Sequence, residues 1–517
     1  MATAGVAAPR LYAATDASPA QKTSGIWDVR AFGATGDGKT IDTPAINKAI
    51  EAANSAGGGT VRFAAGTYAC YSIHLKSNVC LSLEQGATIF AASTPMEGMG
   101  SGGYDAAESN TPWESYQDFG HNHWHNSLIW GENIQNFSIV GPGLIWGKGL
   151  SRGWGKDTPR AEAPGVGNKA ISLKNCHNVQ LRDFSILMGG HFGILATGVD
   201  NLTIDNLIID TNRDGVDIDC CRNVRVSNCS VNSPWDDGIC PKSSYALGYA
   251  RATENVTISN CYVTGSYQFG TMLDGTFKKF PPGYKVARTG GIKCGTESNG
   301  GFKNIAISNC VLEGCHGIAL ETEDGALLED ISITNITMRD IVSAPLFLRL
   351  GSRMRGPKGV PVGQLRRVLI SNIVCSNAAP LGSVLSGIPD HCIEDVKMSN
   401  IYIQHQGGGT QDASIQPPEL ENAYPEATMF GPMPSQGFFL RHMRNLEMGH
   451  IEVASMQPDT RPSFVLQDVK GADFLRIQAP RSPAVPVFAL YNVEEFRVDL
   501  SRGVPDTKLA KVERQKL

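Results

Sequence analysis

The sequence predicts an all-β chain wound as a single-stranded right-handed parallel β-helix, with a short helix capping its first coil. Three observations carry this. A short phrase of alternating apolar and polar residues recurs at coil-like spacing, asparagine returns at fixed places within it, and the 57 glycines accompany few long apolar runs. With 41% hydrophobic residues over 517 positions the chain can build a large core. A compact fold of this length would divide into domains, whereas a repeat fold grows along one axis undivided.

Residues 1–24 are rich in Ala and Ser and are expected to form a flexible leader. A single domain is expected over 25–505, with 25–95 forming the cap and first coils. In "TPAINKAIEAANSAGGG", Ile46, Ile50 and Ala53 fall on one helical face before a glycine stop. Such a helix would cover the open end of a strand stack. "TVRFAAGTYACYSIHL" and "VCLSLEQGATIFAA" read as strands, and 97–126, rich in Gly, Trp and His, as an excursion over one face.

From residue 178 the repeat is explicit: "NVQLRDF", "NLTIDNL", "NVRVSNC", "NVTISNC", "NIAISNC", "DISITNI", "RVLISNI" and "DVKMSNI". Their first residues are Asn178, Asn201, Asn223, Asn255, Asn304, Asp330, Arg367 and Asp395. Five positions on stand Asp183, Asn206, Asn228, Asn260, Asn309, Asn335, Asn372 and Asn400. Alternation marks strands, the polar pair marks turns, and steps of 22 to 49 residues describe coils carrying loops. Beyond 440 the phrases weaken, and 506–517 are expected as a tail.

A net charge of −5 argues against a nucleic-acid partner, and no apolar run is long enough to span a bilayer. No signal-peptide layout is visible at the start. The 13 cysteines are too sparse for a disulfide scaffold, with Cys70 and Cys80 the candidate pair and most others expected as small core residues.

Asp214, Asp217, Asp219, Asp236 and Asp237 crowd into "NRDGVDIDCCRNVRVSNCSVNSPWDDGIC". Like charges placed together raise each other's pKa, so the crowding points to chemistry. A second register explains it. "FGILAT", "DGVDID", "DGICPK", "GGIKCG" and "HGIALE" share a glycine before an aliphatic residue, with Phe192, Asp214, Asp237, Gly290 and His316 just ahead. In a β-helix this register becomes one line of side chains down an outer face, along which a sugar chain can lie.

The segment "DVRAFGATGDGKTIDTPAINKAIEAANSAGGGTVRFAAGTY" resembles the entry segment of pectin-degrading β-helix enzymes. "NRDGVDID" and "DDGICPKSS" resemble the Asn-Thr-Asp-Gly and Asp-Asp-Cys-x-x-Ile-Lys-Ser motifs of the polygalacturonase family, glycoside hydrolase family 28. The resemblance implies a secreted or periplasmic inverting hydrolase of a pectic poly- or oligosaccharide, monomeric and without cofactor or metal. It implies Asp236 as general acid, Asp214 and Asp237 as activators of water, and Lys242 in the cleft beside Asn212. Acid and base would stand about 6.5–9.5 Å apart, leaving room for the water.

Two departures from the family pattern bear on the substrate. Its Gly-His-Gly falls on Thr289-Gly290-Gly291, and its Arg-Ile-Lys on Ala319-Leu320-Glu321. Ala and Glu cannot replace a bidentate grip on a uronate carboxylate. The rhamnogalacturonan-cleaving branch also lacks a standard Gly-His-Gly, and a sugar that is neutral or differently held, rhamnose or another pectic side-chain sugar, is expected before the scissile bond. His316 is a candidate partial stand-in for the missing imidazole, against a purely structural role in its turn. Glu321 is a candidate to bond sugar hydroxyls, His191 to contact sugar, and Trp235 to stack on it or else be buried. His121, His123 and His125 have the look of a metal clip and are read as part of the cleft wall. The inserts at 97–126 and 268–288 would wall off one end of the groove and give exo action. The rival readings are a Ca²⁺-dependent β-helix lyase and a non-catalytic glycan-binding β-helix.

Overall fold

The computed structural model describes residues 25–93, 103–118, 120–152, 163–281, 287–480 and 484–517, and the expected leader lies outside them. The described chain is a right-handed parallel β-helix, as its composition and repeat require. Each central coil is built from three strands, for example Asp214–Asp219, Arg222–Ser227 and Ser230–Asn232. Each of these three strands pairs in parallel with its counterpart one coil away.

The repeat phrase forms the second strand of each coil. Along Arg222–Ser227, Val224 and Val226 are buried while Arg225 is exposed. Full burial of such a side chain contributes about 1.5–3 kcal/mol. The polar residues that bracket the phrase are turn residues. All sixteen, from Asn178 to Asn400, have φ between 53° and 69°. This is the left-handed region, which asparagine tolerates better than most residues. Their amides also bond along the axis, Asn178 to Asn136 at 2.8 Å, Asn201 to Asn178 at 2.8 Å, Asn223 to Asn201 at 3.1 Å and Asn255 to Asn223 at 3.0 Å. Inside the barrel Cys229, Cys261 and Cys310 are buried. All 13 cysteines are free thiols, so Cys70 and Cys80 do not pair.

The helix Thr43–Ser55 buries Ile46, Ala49, Ile50 and Ala53 against the first coil. At the other end the expected tail is structured. Thr507–Lys516 is a strand antiparallel to Phe488–Asp499, and it covers the last parallel edge. The late coils do not fade either. Their strands lengthen to Phe438–Ser455, Phe464–Leu475 and Phe488–Asp499 around stacked Phe438, Phe464 and Phe488. The phrase weakens there because residues other than asparagine, such as His450, Asp468 and Glu495, take many of the left-handed turns.

Candidate active site

The glycine register forms the predicted column. Phe192 pairs with Asp214, and Val216 pairs with Ile239, Ile239 with Ile292 and Ile292 with Ile318. Those pairings put Asp214, Asp237, Gly290 and His316 on successive coils. The column is covered, however, and not a solvent stripe: Asp214 is 3% and Asp237 5% exposed. Asp217 and Asp219 are fully buried. Asp219 accepts from Ser244 N–H at 2.8 Å and Oγ at 2.6 Å, while Asp217 lies 3.3 Å from Nε2 of His121, which the first excursion supplies.

Asp214 opens its strand, and Asp236 and Asp237 sit on the bend before the next. That bend is fixed by Trp235 N–H donating to the Asn212 carbonyl at 2.9 Å and by Ser233 Oγ donating to the carbonyls of Asp236, at 2.9 Å, and Arg213. The Asp237 N–H donates to Asp214 Oδ1 at 3.1 Å and to Asp236 Oδ1 at 3.2 Å. One oxygen from each of the three carboxylates lies within 4.8 Å of the other two. This is closer than the expected separation of acid and base, because the bend folds Asp236 back over the column.

Their charges are set differently. Burial, then Asp217 and Asp236, pushes the Asp214 carboxyl well above the usual range. Burial acts on Asp237 too, but Lys293, whose Nζ is 2.7 Å from Asp237 Oδ2, together with Lys242 holds it below the usual range. Asp236 is ion-paired with Arg213 through Nη2.

The remaining expected residues divide into layers. Lys242 is not in the cleft but beneath it, 4% exposed, 3.2 Å from Glu297 and 3.9 Å from Asp217. His191 is buried against Phe192, its Nδ1 3.3 Å from the Arg152 carbonyl, and burial and Arg213 hold its imidazole neutral. Trp235 is half-buried beside the acids. His316 and Glu321 line a cavity with Asp237, Lys293 and Glu426, and His316 Nδ1 is 3.4 Å from Glu426. Its volume of about 20 Å³ admits one water or one substituent hydroxyl. Glu321 is 2% exposed, its Oε2 lacks a hydrogen-bond partner, and burial pushes its carboxyl up to about 8. The three histidines of the excursion form no shared clip: His121 meets Asp217, His123 meets Glu114, and His125 meets Glu132 and Glu108. A larger groove of about 770 Å³, lined by Asn133, His177, Asp200 and Tyr249, contains none of the acids.

Lys293 and Glu426 were not foreseen. Lys293 lies in "GGIKCG", one coil beyond Cys240, and that coil position was the available signal. Glu426 arrives from a distant excursion with no local signal.

Residues 26–270 match the family model described as rhamnogalacturonase A/epimerase, pectate lyase-like. A probable polygalacturonase of Vitis vinifera is 23% identical over 401 residues, 72% of this chain and 73% of that protein. An exo-poly-alpha-D-galacturonosidase of Dickeya chrysanthemi is 26% identical over 261 residues, 41% of each chain. The fold superposes on a family 28 exopolygalacturonase of Yersinia enterocolitica with TM-score 0.62 at 19% identity, covering 87% of this chain and 78% of that one. In sequence over residues 26–270 the chain is similar to the rhamnogalacturonase A/epimerase, pectate lyase-like family, and its fold is that of the parallel β-helix polygalacturonases.

Proposed function

We propose that the chain is a pectin-degrading glycoside hydrolase that inverts the anomeric centre, with Asp236 giving a proton to the leaving oxygen and Asp214 and Asp237 activating water. One observation carries this reading: three carboxylates converge on one point, each in a different electrostatic setting. Among the described residues Asp214 is buried without a cation on it, Asp237 is on Lys293 and Asp236 on Arg213. Spacing alone would favour a covalent route, since retaining pairs stand about 5–5.5 Å apart. The charge pattern favours water. Asp237 is tied to Lys293 and Asp236 to Arg213, and burial raises the Asp214 carboxyl, so none of the three is a bare nucleophile. Carboxylate oxygens about 4–5 Å apart can share one water at ordinary hydrogen-bond lengths, and the cluster oxygens lie within 4.8 Å of one another.

The finer reading is a neutral sugar before the scissile bond. Glu321, protonated and lacking a partner at Oε2, offers a donor to a hydroxyl where the family pattern places a cation for a carboxylate. Rhamnogalacturonan and related pectic oligosaccharides fit. Exo action is part of this reading, and Arg355, which joins Asp118 at 2.5 Å and Glu297 at 3.5 Å, ties the first excursion to distant parts of the chain. A secreted or periplasmic location goes with such a substrate. The lyase reading loses its base: Asp237 holds Lys293 well above its ordinary value, and Arg213 is engaged by Asp236.

The test is reducing-end product analysis on a panel of pectic polymers and oligosaccharides. Wild type is expected to release short saturated products, and Asp236→Asn to lose at least about 10²-fold in rate. Unsaturated products absorbing in the ultraviolet would support elimination. Ligand binding without any release of reducing sugar would support the glycan-binding reading.

A further inference from the structure

Arg213 stands inside the first motif, between Asn212 and Asp214, and its guanidinium is held by Asp236. The other cation pairs on the acids are more deeply placed: the side chains of Lys293 and Asp237 are 10% and 8% exposed, and those of Lys242 and Asp217 6% and 0%. The Asp236 side chain is 27% exposed and that of Arg213 13%, so an incoming sugar meets this pair first. With Asp236 as the acid, an assignment resting on the hydrolase reading above, the pair faces the leaving-group side, because the acid must reach the glycosidic oxygen. Where the family pattern would grip a carboxylate stand Ala319 and Glu321.

We propose that Arg213 reads the charge of the substrate: the carboxylate of a uronate on the leaving-group side takes the guanidinium from Asp236, and Asp236, thus released, becomes the proton carrier. A guanidinium can exchange one carboxylate for another while keeping its paired donors in use. In this scheme the cluster's proton starts on Asp214, the one of the three carboxylates with no cation paired to it among the described residues and the one that burial raises. Once the positive charge leaves Asp236, the proton passes from Asp214 to Asp236, directly or through one water, and the total charge of the cluster is unchanged. Asp214 is then an ionised base beside Asp237. A water gives a proton to Asp214 as its oxygen bonds the anomeric carbon, the bond to the leaving oxygen breaks, and Asp236 gives its proton to that oxygen. The cluster finishes with one proton on Asp214, as it began. The preferred substrate then carries a neutral sugar before the bond and a uronate after it.

The experiment compares one oligosaccharide with a free carboxylate on the leaving-group sugar and the same compound as its methyl ester. Wild type is expected to favour the acid in kcat/KM by roughly 10- to 100-fold, the range for hydrogen bonds between charged groups, with most of the difference in kcat. In Arg213→Gln that ratio is expected to fall close to one, and in Arg213→Lys to be partly kept. A wild-type ratio retained by Arg213→Gln overturns the inference and leaves the hydrolase reading standing. Equal cleavage of acid and ester by wild type overturns it also, whether or not the variants fold. Cleavage of neither compound, or of any other pectic oligosaccharide, defeats the hydrolase reading and this inference together.

Discussion

Burial pushes the Glu321 carboxyl up to about 8 from its ordinary 4.5, so at neutral pH the side chain is a hydrogen-bond donor. The stability consequence has a definite sign. Between those two pH values the folded chain keeps a proton that the unfolded chain has released, so this group costs stability progressively as pH rises, and the cost levels off above about 8. Glu321→Gln keeps a donor of the same shape and removes the titration. Its melting temperature is therefore expected to fall less than that of wild type between about pH 5 and 8, and parallel curves in a series of thermal scans would contradict this. The acids themselves were legible in the sequence, because each precedes or lies beside a glycine of the repeating register. Their partners were less so. Lys242 was expected in the cleft and lies under it, since its strand carries it inward to Glu297. Arg213 reaching Asp236 and Lys293 reaching Asp237 depend on how far long side chains extend across coils, which no local pattern encodes.

The turns hold the coils in register through asparagine. Asn255 has φ 59°, donates to Asn223 at 3.0 Å and accepts from Asn304 at 3.2 Å. Replacing it with alanine removes both bonds and places a residue ill suited to the left-handed region, at a cost of about 1–2 kcal/mol. Asn255→Gly regains the backbone freedom but not the bonds. The expected order of melting temperatures is wild type, then Gly, then Ala; an alanine variant as stable as wild type would show that the ladder carries no stability. The strand phrase, the turn pair and the capping helix were all readable, because each rests on local periodicity. The excursions were not. The histidines of "GHNHWHN" show a strand-like alternation, yet each reaches a carboxylate from a different part of the chain.

A stacked sheet of this kind has two open ends, and both are covered here. The helix Thr43–Ser55 covers the first, and the antiparallel strand Thr507–Lys516 covers the last. The C-terminal strand was missed because exposed positions dominate it, so it lacks the buried alternation of the inner coils. Removing residues 507–517 would bare the hydrogen-bonding edge of Phe488–Asp499. The truncated chain is expected to associate, giving a higher mass in light scattering than the full chain at equal concentration. An unchanged mass would mean that the edge is protected in another way.

The scaffold makes one placement: a single coil of 23 residues brings Asp214 to a common point with Asp236 and Asp237 on the next bend. Whether water attacks there directly is read by proton NMR of the anomeric signals in freshly released product, before mutarotation. The expected first signal is the anomer opposite in configuration to the bond cleaved. Early appearance of the same configuration would mean that one of the three acids bonds to the sugar, contradicting the assignment of their roles.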